Sequence, residues 1–297
     1  MNIDRNILFT LQHCESVGWK SISLLMKSVT SPNEINKLTP ADLRNILPIS
    51  ASKINAFYKQ FHSFDPLPKM KEYEDRNIRF ITVFDHKYPP LLKNIYDPPW
   101  VLFFSGKSSL LERDKKIAIV GSRKADEYSS ASLNFLLPQL VKENFVIVSG
   151  LAAGADEMAH RKTIELKGDT IAVIGGGLDH IYPAANRRLA EWMKTNQLIL
   201  SEYPPDTMPQ RWHFPLRNRI ISGMTQAVLV TQASRKSGSL ITAEYSLNEG
   251  RDVFALPGRM DSSLSEGSNL LIQQGAKLIT SSEDIVSEFA YNSYKNI

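Results

Sequence analysis

The sequence is almost without cysteine. Cys14 stands alone among 297 residues, which excludes an intrachain disulfide framework and any cysteine-rich zinc centre. A single thiol of this kind reads as a small buried hydrophobe, kept most comfortably in a reducing compartment. Long apolar runs are missing too: no stretch of about eighteen residues would span a bilayer. The opening MNIDRNILFT lacks the basic region, long apolar core and small-residue cleavage site of a signal peptide. The expectation is a soluble cytoplasmic protein without a membrane partner. Familiar catalytic signatures are also missing, with no G-x-S-x-G elbow, no P-loop lysine and no H-E-x-x-H. Internal repeats and low-complexity tracts are absent.

What is present is a 42% hydrophobic chain long enough for one large domain and a small one. The formal net charge is +4 and the isoelectric point about 9.0, which leans toward a polyanionic partner without establishing one. Residues 1–66 read as a small helical domain. LQHCESVGWKSISLLMKSV carries apolar residues at helical spacing, and TPADLRNIL offers Thr39 as a cap with Pro40 in the first turn. SFDPLPKM then breaks the period with two prolines, predicting a linker or boundary near residues 64–70.

Residues 67–297 alternate strand and helix. IRFITVF, WVLFFSG, KIAIVG, FVIVSG, TIAVIGGG, LILSEY, AVLVT and DVFALPG are continuous apolar runs of the kind buried parallel strands require. After KIAIVG, the residues Leu133, Leu136, Leu137, Leu140 and Val141 share a helical face suited to packing on a sheet. This pattern predicts an α/β fold, a doubly wound, mostly parallel sheet. Such folds place their ligands at the strand ends, where helix N-termini converge. Four of these ends are glycine-rich: VGSR, SGLAAGAD, IGGGLD and LPGR.

A dinucleotide fingerprint needs G-x-G-x-x-G, yet in GSRKAD only Gly121 matches. Arg123 holds the second glycine position and Asp126 the third, so a side chain fills the space a pyrophosphate would take, and no dinucleotide cofactor is expected. Arg123 either grips a phosphate with its fork or pairs with Asp126. In SGLAAGADEMAH, Gly150 and Gly154 flank a small-residue turn and Asp156 is a favourable charge at a helix start. His160 follows at i+4, but one carboxylate and one histidine do not make a metal site. Further on, a helix beginning near Asn186 has Arg187 and Arg188 in its first turn, opposing the helix dipole unless an anion docks there, or standing as a solvated pair. SGSLITAEYSL presents Ser237, Gly238 and Ser239 as another anion-binding helix start.

QRWHFPLRNRII, residues 210–221, interleaves Arg211, Arg217 and Arg219 with Trp212, His213 and Phe214 and contains no acid. Cations neutralise phosphates and aromatic faces stack on exposed bases, a combination suited to single-stranded nucleic acid. At least one of Trp212 and Phe214 is expected to be a core residue. Ser149 and Gly177, at two of the strand ends, complete the candidate contacts.

Taken in order, IAIVGSR, SGLAAGADEMAH, TIAVIGGGLDHIYPAANRRL, SEYPP, FPLRNRIISG, SGSLITAEYSLNEGRDVFALPG and SEGSNLLIQQGA strongly resemble the DNA-processing protein A (DprA/Smf) family, from about residue 78 to 285. The resemblance implies an extended Rossmann-like fold that binds and protects single-stranded DNA. It implies a homodimer that loads the RecA recombinase during natural transformation and homologous recombination, without enzymatic activity. The family's GSR arginine matches Arg123, with Gly121 and Ser122 beside it; a basic residue matches Arg211; the FPxRNR block supplies Phe214, Arg217, Asn218 and Arg219. Leu271 and Ile272 fall where the family dimerises, or else in ordinary core packing. Ala155 and Gln232 stand where the family often has isoleucine and glutamate, and Ala184 replaces an additional lysine of some relatives, leaving Arg187 or Arg188 to supply that charge. The winged-helix module that some relatives carry after the segment EDIVSEFA is expected to be missing. The first helices resemble the sterile-alpha-motif-like or helix-hairpin-helix-like module of other members, with an auxiliary role, although ESVGWKS lacks a hairpin's G-x-G turn. The rival reading is a Rossmann-like nucleoside monophosphate phosphoribohydrolase of the lysine-decarboxylase-like type, whose PGGxGTxxE motif SGSLITAEYSL with Glu244 distantly resembles but for its missing PGG.

Overall fold

A computed structural model describes residues 3–295. Five helices lead the chain: α1 Ile3–His13, α2 Trp19–Ser28, α3 Pro40–Ile46, α4 Ala51–Ser63 and α5 Pro66–Asp75. Thr39 and Asp42 cap α3 reciprocally, each side chain accepting from the other's backbone N–H, and Pro40 fits the first turn. SFDPLPKM is not a linker. It starts α5, with Asp65 accepting from the Leu67 amide at 3.0 Å. Pro66 and Pro68 lie in the first turn, where no intrahelical partner waits for their missing N–H.

The strands are β1 Arg79–Thr82, β2 Val101–Gly106, β3 Lys116–Val120, β4 Val146–Ser149, β5 Asp169–Val173, β6 Leu198–Ser201, β7 Ala227–Val230, β8 Asp252–Ala255 and β9 Lys277–Leu278. They form one sheet in the order β1-β2-β6-β5-β4-β3-β7-β8-β9. The β1–β2 and β2–β6 pairs are antiparallel and the rest parallel. Between them run α6 Pro90–Lys93, α7 Glu127–Lys142, α8 Ala155–Glu165, α9 Arg187–Asn196, α10 His213–Gly223, α11 Gly238–Asn248, α12 Glu266–Gln273 and α13 Ser282–Lys295. The chain winds outward from β3 through β4, β5 and β6, then returns through α10 to place β7 on the other side of β3. The crevice between β3 and β7 is therefore a topological switch point, the usual ligand position in open α/β sheets.

Alternation along the strands sends Ile117 and Ile119 to one face of β3 and Ala118 and Val120 to the other. The first face is covered by α7, α8 and α13, with Leu133, Leu136, Leu137 and Leu140 on the expected stripe of α7. The second face packs on α9 to α12 and continues without a break into the N-terminal helices. Phe9 of α1 lies 4.8 Å from the Phe80 ring and 5.9 Å from the Phe103 ring. Trp19 donates its indole N–H to the Pro98 carbonyl at 2.7 Å. The opening helices thus bury their apolar faces against the sheet as well as each other. Leu271 on α12 is buried in this core and Ile272 is half-buried against it. Among the described residues no helix is long and apolar enough to cross a membrane.

Candidate nucleic-acid interface

The switch-point crevice opens into a cavity of about 770 Å³ between the turn after β3, the loop after β7 and the start of α10. Gly121, Ser122, Arg123, Arg211, Phe214, Arg217, Asn218, Ser237 and Gly238 all line it. Residues more than a hundred apart in sequence therefore converge on one space.

The turn that carries Arg123 is held from three sides. Ser122 donates its backbone N–H to the Gln232 carbonyl at 2.7 Å and accepts from the Ala155 amide at 3.2 Å. Its hydroxyl accepts from the Lys124 amide at 3.0 Å, and the Gln232 side chain accepts from the Asp126 amide at 3.1 Å. Gly154, at φ 77°, lies so close that an added Cβ would meet the backbone of Ser122 and Arg123. Asp126 caps α7 by accepting from the Tyr128 amide at 2.9 Å, and it forms no ion pair with Arg123. The exposed guanidinium of Arg123 instead lies 5.7 Å from the centre of the Phe214 ring. Among the described residues no carboxylate comes within 4.0 Å of it.

Arg217 reaches the cavity from beneath. Its Nη1 donates to the carbonyls of Gly150, at 2.5 Å, and Val173. Gly150 leaves the room for this: a Cβ there would lie 2.5 Å from the guanidinium. Burial lowers the Arg217 pKa to about 10 while the nearby Asp156 opposes the shift, so the group remains charged at neutral pH. Asp156 is buried, accepts from the Gly150 and Ala152 amides at 3.1 and 3.3 Å, and has its own pKa raised by burial against the pull of Arg217. His160 lies wholly buried behind this pair, bonded to Thr170 at 2.7 Å. Burial, with Arg217 adding to it, lowers its pKa to about 3. Among the described residues no three potential metal ligands gather. Asn186 donates to the carbonyls of Leu151 and Ala152 at 3.1 and 3.3 Å. It thereby holds the turn in which buried Leu151 takes φ 57°.

Other expected contacts turn inward or stand apart. Arg219 faces the opposite side of α10, donates to both oxygens of Glu202 at 2.7 and 2.6 Å, and comes within 3.3 Å of Asp97. Its charge is neutralised inside the protein and is not offered to the cavity. Ser149 is buried and donates to the Ile119 carbonyl at 2.6 Å. Gly150 and Gly154 serve packing, and Gly177 does the same against the Pro204 and Pro205 carbonyls. Arg187 is exposed at the start of α9 but does not line the cavity. Neither Trp212, at 63% exposure, nor half-buried Phe214 is a full core residue; His213 between them is the buried one.

The sequence reading missed Lys124 and Tyr182, both lining the cavity. Tyr182 is exposed and its ring lies 5.5 Å from that of Phe214, making a two-ring wall. It also missed exposed Arg235 and Lys236, in the loop between the lining residues Ser234 and Ser237. Arg235 and Lys236 carried the signal already read at Arg187 and Arg188, two adjacent cations at a helix start. In all, Arg123, Lys124, Arg211 and Arg217 face the cavity against the single carboxylate of Asp156. Add the open start of α11, where nothing lies within 4 Å of where a Cβ of Gly238 would stand, and the site can hold an extended anion with flat groups beside it.

Known proteins share this fold. The X-ray structure of DNA processing protein A from Streptococcus pneumoniae matches with a TM-score of 0.82 at 37% identity, over 97% of this chain and 98% of that one. The Helicobacter pylori DNA processing protein A structure, described for its single-stranded DNA binding mode, matches with a TM-score of 0.65 at 32% identity, over 72% and 97%. The Bacillus subtilis DNA processing protein DprA is 48% identical over 238 residues, 80% of each chain. The family model for DNA recombination-mediator protein A matches residues 79–290. The extended parallel sheet, its switch-point cavity and these matches together make the chain a member of the DNA recombination-mediator protein A family.

Proposed function

We propose that this protein binds single-stranded DNA across the switch-point cavity and acts in the cytoplasm as a mediator of recombination rather than as an enzyme. The observation that carries the reading is the unpaired guanidinium of Arg123 beside the Phe214 ring, in a cavity where cations outnumber carboxylates. A phosphate on Arg123 would leave the adjacent base within reach of Phe214 and Tyr182. Unstacked bases of a single strand can use such a wall, whereas duplex bases are already stacked. Similarity to the Helicobacter pylori protein supports the same ligand. Gly121, Ser122, Arg211, Asn218, Ser237 and Gly238 complete the contact set, with Arg187 as an outer contact.

Loading of a RecA-type recombinase during natural transformation, and a homodimer, extend this reading through family membership. Leu271 is used by the protomer's own core, so Ile272 is the side chain of that pair left to meet a second copy. Residues 1–66 form the auxiliary helical domain, seated on the DNA-binding unit of residues 67–297. The hydrolase alternative loses support because Glu244 is exposed on α11 and does not line the cavity.

The decisive measurement is a titration of a labelled oligo-dT over a salt series. Arg123→Ala should weaken binding at least about tenfold and flatten the slope of log K against log salt by about 0.7. An unchanged affinity and slope would overturn the assignment. Release of free base from a nucleoside monophosphate would favour the hydrolase.

A further inference from the structure

A second cavity, of about 830 Å³, lies on the other side of α10, between that helix and the turn joining α1 to α2. Its lining has the opposite charge. Glu15, Asp97, Glu202 and Asp206 stand there against Lys20 and Arg219. On the floor a single guanidinium serves two carboxylates. Arg219, whose side chain is only 4% exposed, takes both Glu202 oxygens through Nη2. Its Nε is 3.3 Å from Asp97 but out of line for a hydrogen bond, and Nη1 has no acceptor among the described residues. Asp97, 27% exposed, accepts no side-chain hydrogen bond among the described residues. One guanidinium thus faces two carboxylates, and burial raises the pKa of Asp97 despite Arg219 beside it, so a second cation there would favour its charged form.

The walls are flat rings. Trp19, Tyr203 and Trp212 line the space, and Tyr203 stacks on His213 at 4.0 Å. His13 and His213, whose pKa values are lowered by burial, add no positive charge at neutral pH. Acidic groups at floor and rim repel a phosphate backbone, so this is not an extension of the strand-end site.

We propose that this cavity receives an arginine side chain presented by a partner polypeptide. A guanidinium lies flat on Trp or Tyr faces while its edge donates to a carboxylate, here Asp97, and the acidic rim at Glu15 and Asp206 draws it in. The carbonyls of the same polypeptide are acceptors of the kind Nη1 of Arg219 lacks. Lysine fits less well, because a point charge cannot use the flat walls and the floor together. The inference is independent of DNA binding and stands or falls without it.

The test uses the full chain and the tripeptide acetyl-Gly-Arg-Gly-amide, with the citrulline analogue as its neutral isostere. Indole N–H resonances of Trp19 and Trp212 report the site, and Trp192 on α9 is the reference. The arginine peptide should move Trp19 and Trp212 saturably, with a dissociation constant on the order of millimolar, and leave Trp192 in place. Citrulline should bind at least about fivefold more weakly, as loss of a charge-assisted bond requires. Asp97→Asn should weaken the arginine peptide by a similar factor. The exposed double change Glu15→Gln with Asp206→Asn keeps the question open to failure should Asp97→Asn perturb folding. Weakening by either variant supports the assignment. An equal response to citrulline, no movement of Trp19 and Trp212 up to about 10 mM peptide, or indifference of both variants overturns it. Displacement of the peptide from Trp19 by oligo-dT would assign the cavity to nucleic acid instead.

Discussion

Two arginines of one motif, Arg217 and Arg219, leave α10 in opposite directions and meet opposite surroundings. Arg217 faces the strand-end cavity, held by backbone carbonyls beside one buried carboxylate, in company with the free cations Arg123 and Arg211. Arg219 faces the acidic cavity and is spent on Glu202 and Asp97. Residues two apart on a helix are separated by about 200° around its axis. One short stretch of sequence therefore supplies the wall between a cationic site and an anionic one. Charge here is a property of each face of α10, and the sequence average of the motif describes neither.

The contrast predicts that the two sides fail differently. The largest effect belongs to Arg219→Ala, which strands the buried Glu202 and the half-buried Asp97 and should cost about 3 to 5 kcal/mol of stability. A urea midpoint close to that of the native chain would show that Arg219 is not the buried counter-ion described. His160→Gln tests the rear of the strand-end side. The folded pKa of His160 is about 3 against an ordinary 6.5, so the folded state resists a proton that the unfolded chain accepts. The stability this lends is full above about pH 6.5 and is lost as the pH falls toward 3. Between pH 7.5 and 5 the native chain should lose on the order of 2 kcal/mol more than His160→Gln does. Parallel pH profiles would refute the buried neutral imidazole. Arg211→Ala should do the reverse of Arg219→Ala, leaving stability within about 0.5 kcal/mol while weakening oligo-dT several-fold. A folding defect comparable to that of Arg219→Ala would erase the distinction between the faces. The smallest effect is at Lys236→Ala, outside the cavity, which should flatten the salt slope by about 0.7 or less and change affinity only a few-fold.

Most of the sheet could be read from apolar runs because parallel strands buried on both faces leave few other patterns. Lys277–Leu278 escaped for the same reason: a two-residue exposed edge strand has no apolar run. α5 was misread because prolines that break a helix interior are favoured in its first turn, and the sequence alone does not say which applies. At the site, Gly121, Arg123 and Phe214 were legible from the missing dinucleotide glycines and the basic-aromatic block. The fate of Arg219 was not, since its partners Glu202 and Asp97 come from other segments and only the fold brings them together. Ser149 and Gly177 sit at strand ends like the proposed contacts, and only three-dimensional packing shows that the Ser149 hydroxyl turns inward and that Gly177 abuts the Pro204 and Pro205 carbonyls.

The turn that carries Arg123 is braced by Gln232, Ala155 and Gly154 before any ligand arrives. In the proposed binding mode its backbone needs no rearrangement to receive a phosphate, and the cost of ordering falls on the flexible strand. Capture should then proceed at the rate of diffusional encounter, accelerated by the cationic cavity and slowed by salt, with no separate closing step in the kinetics.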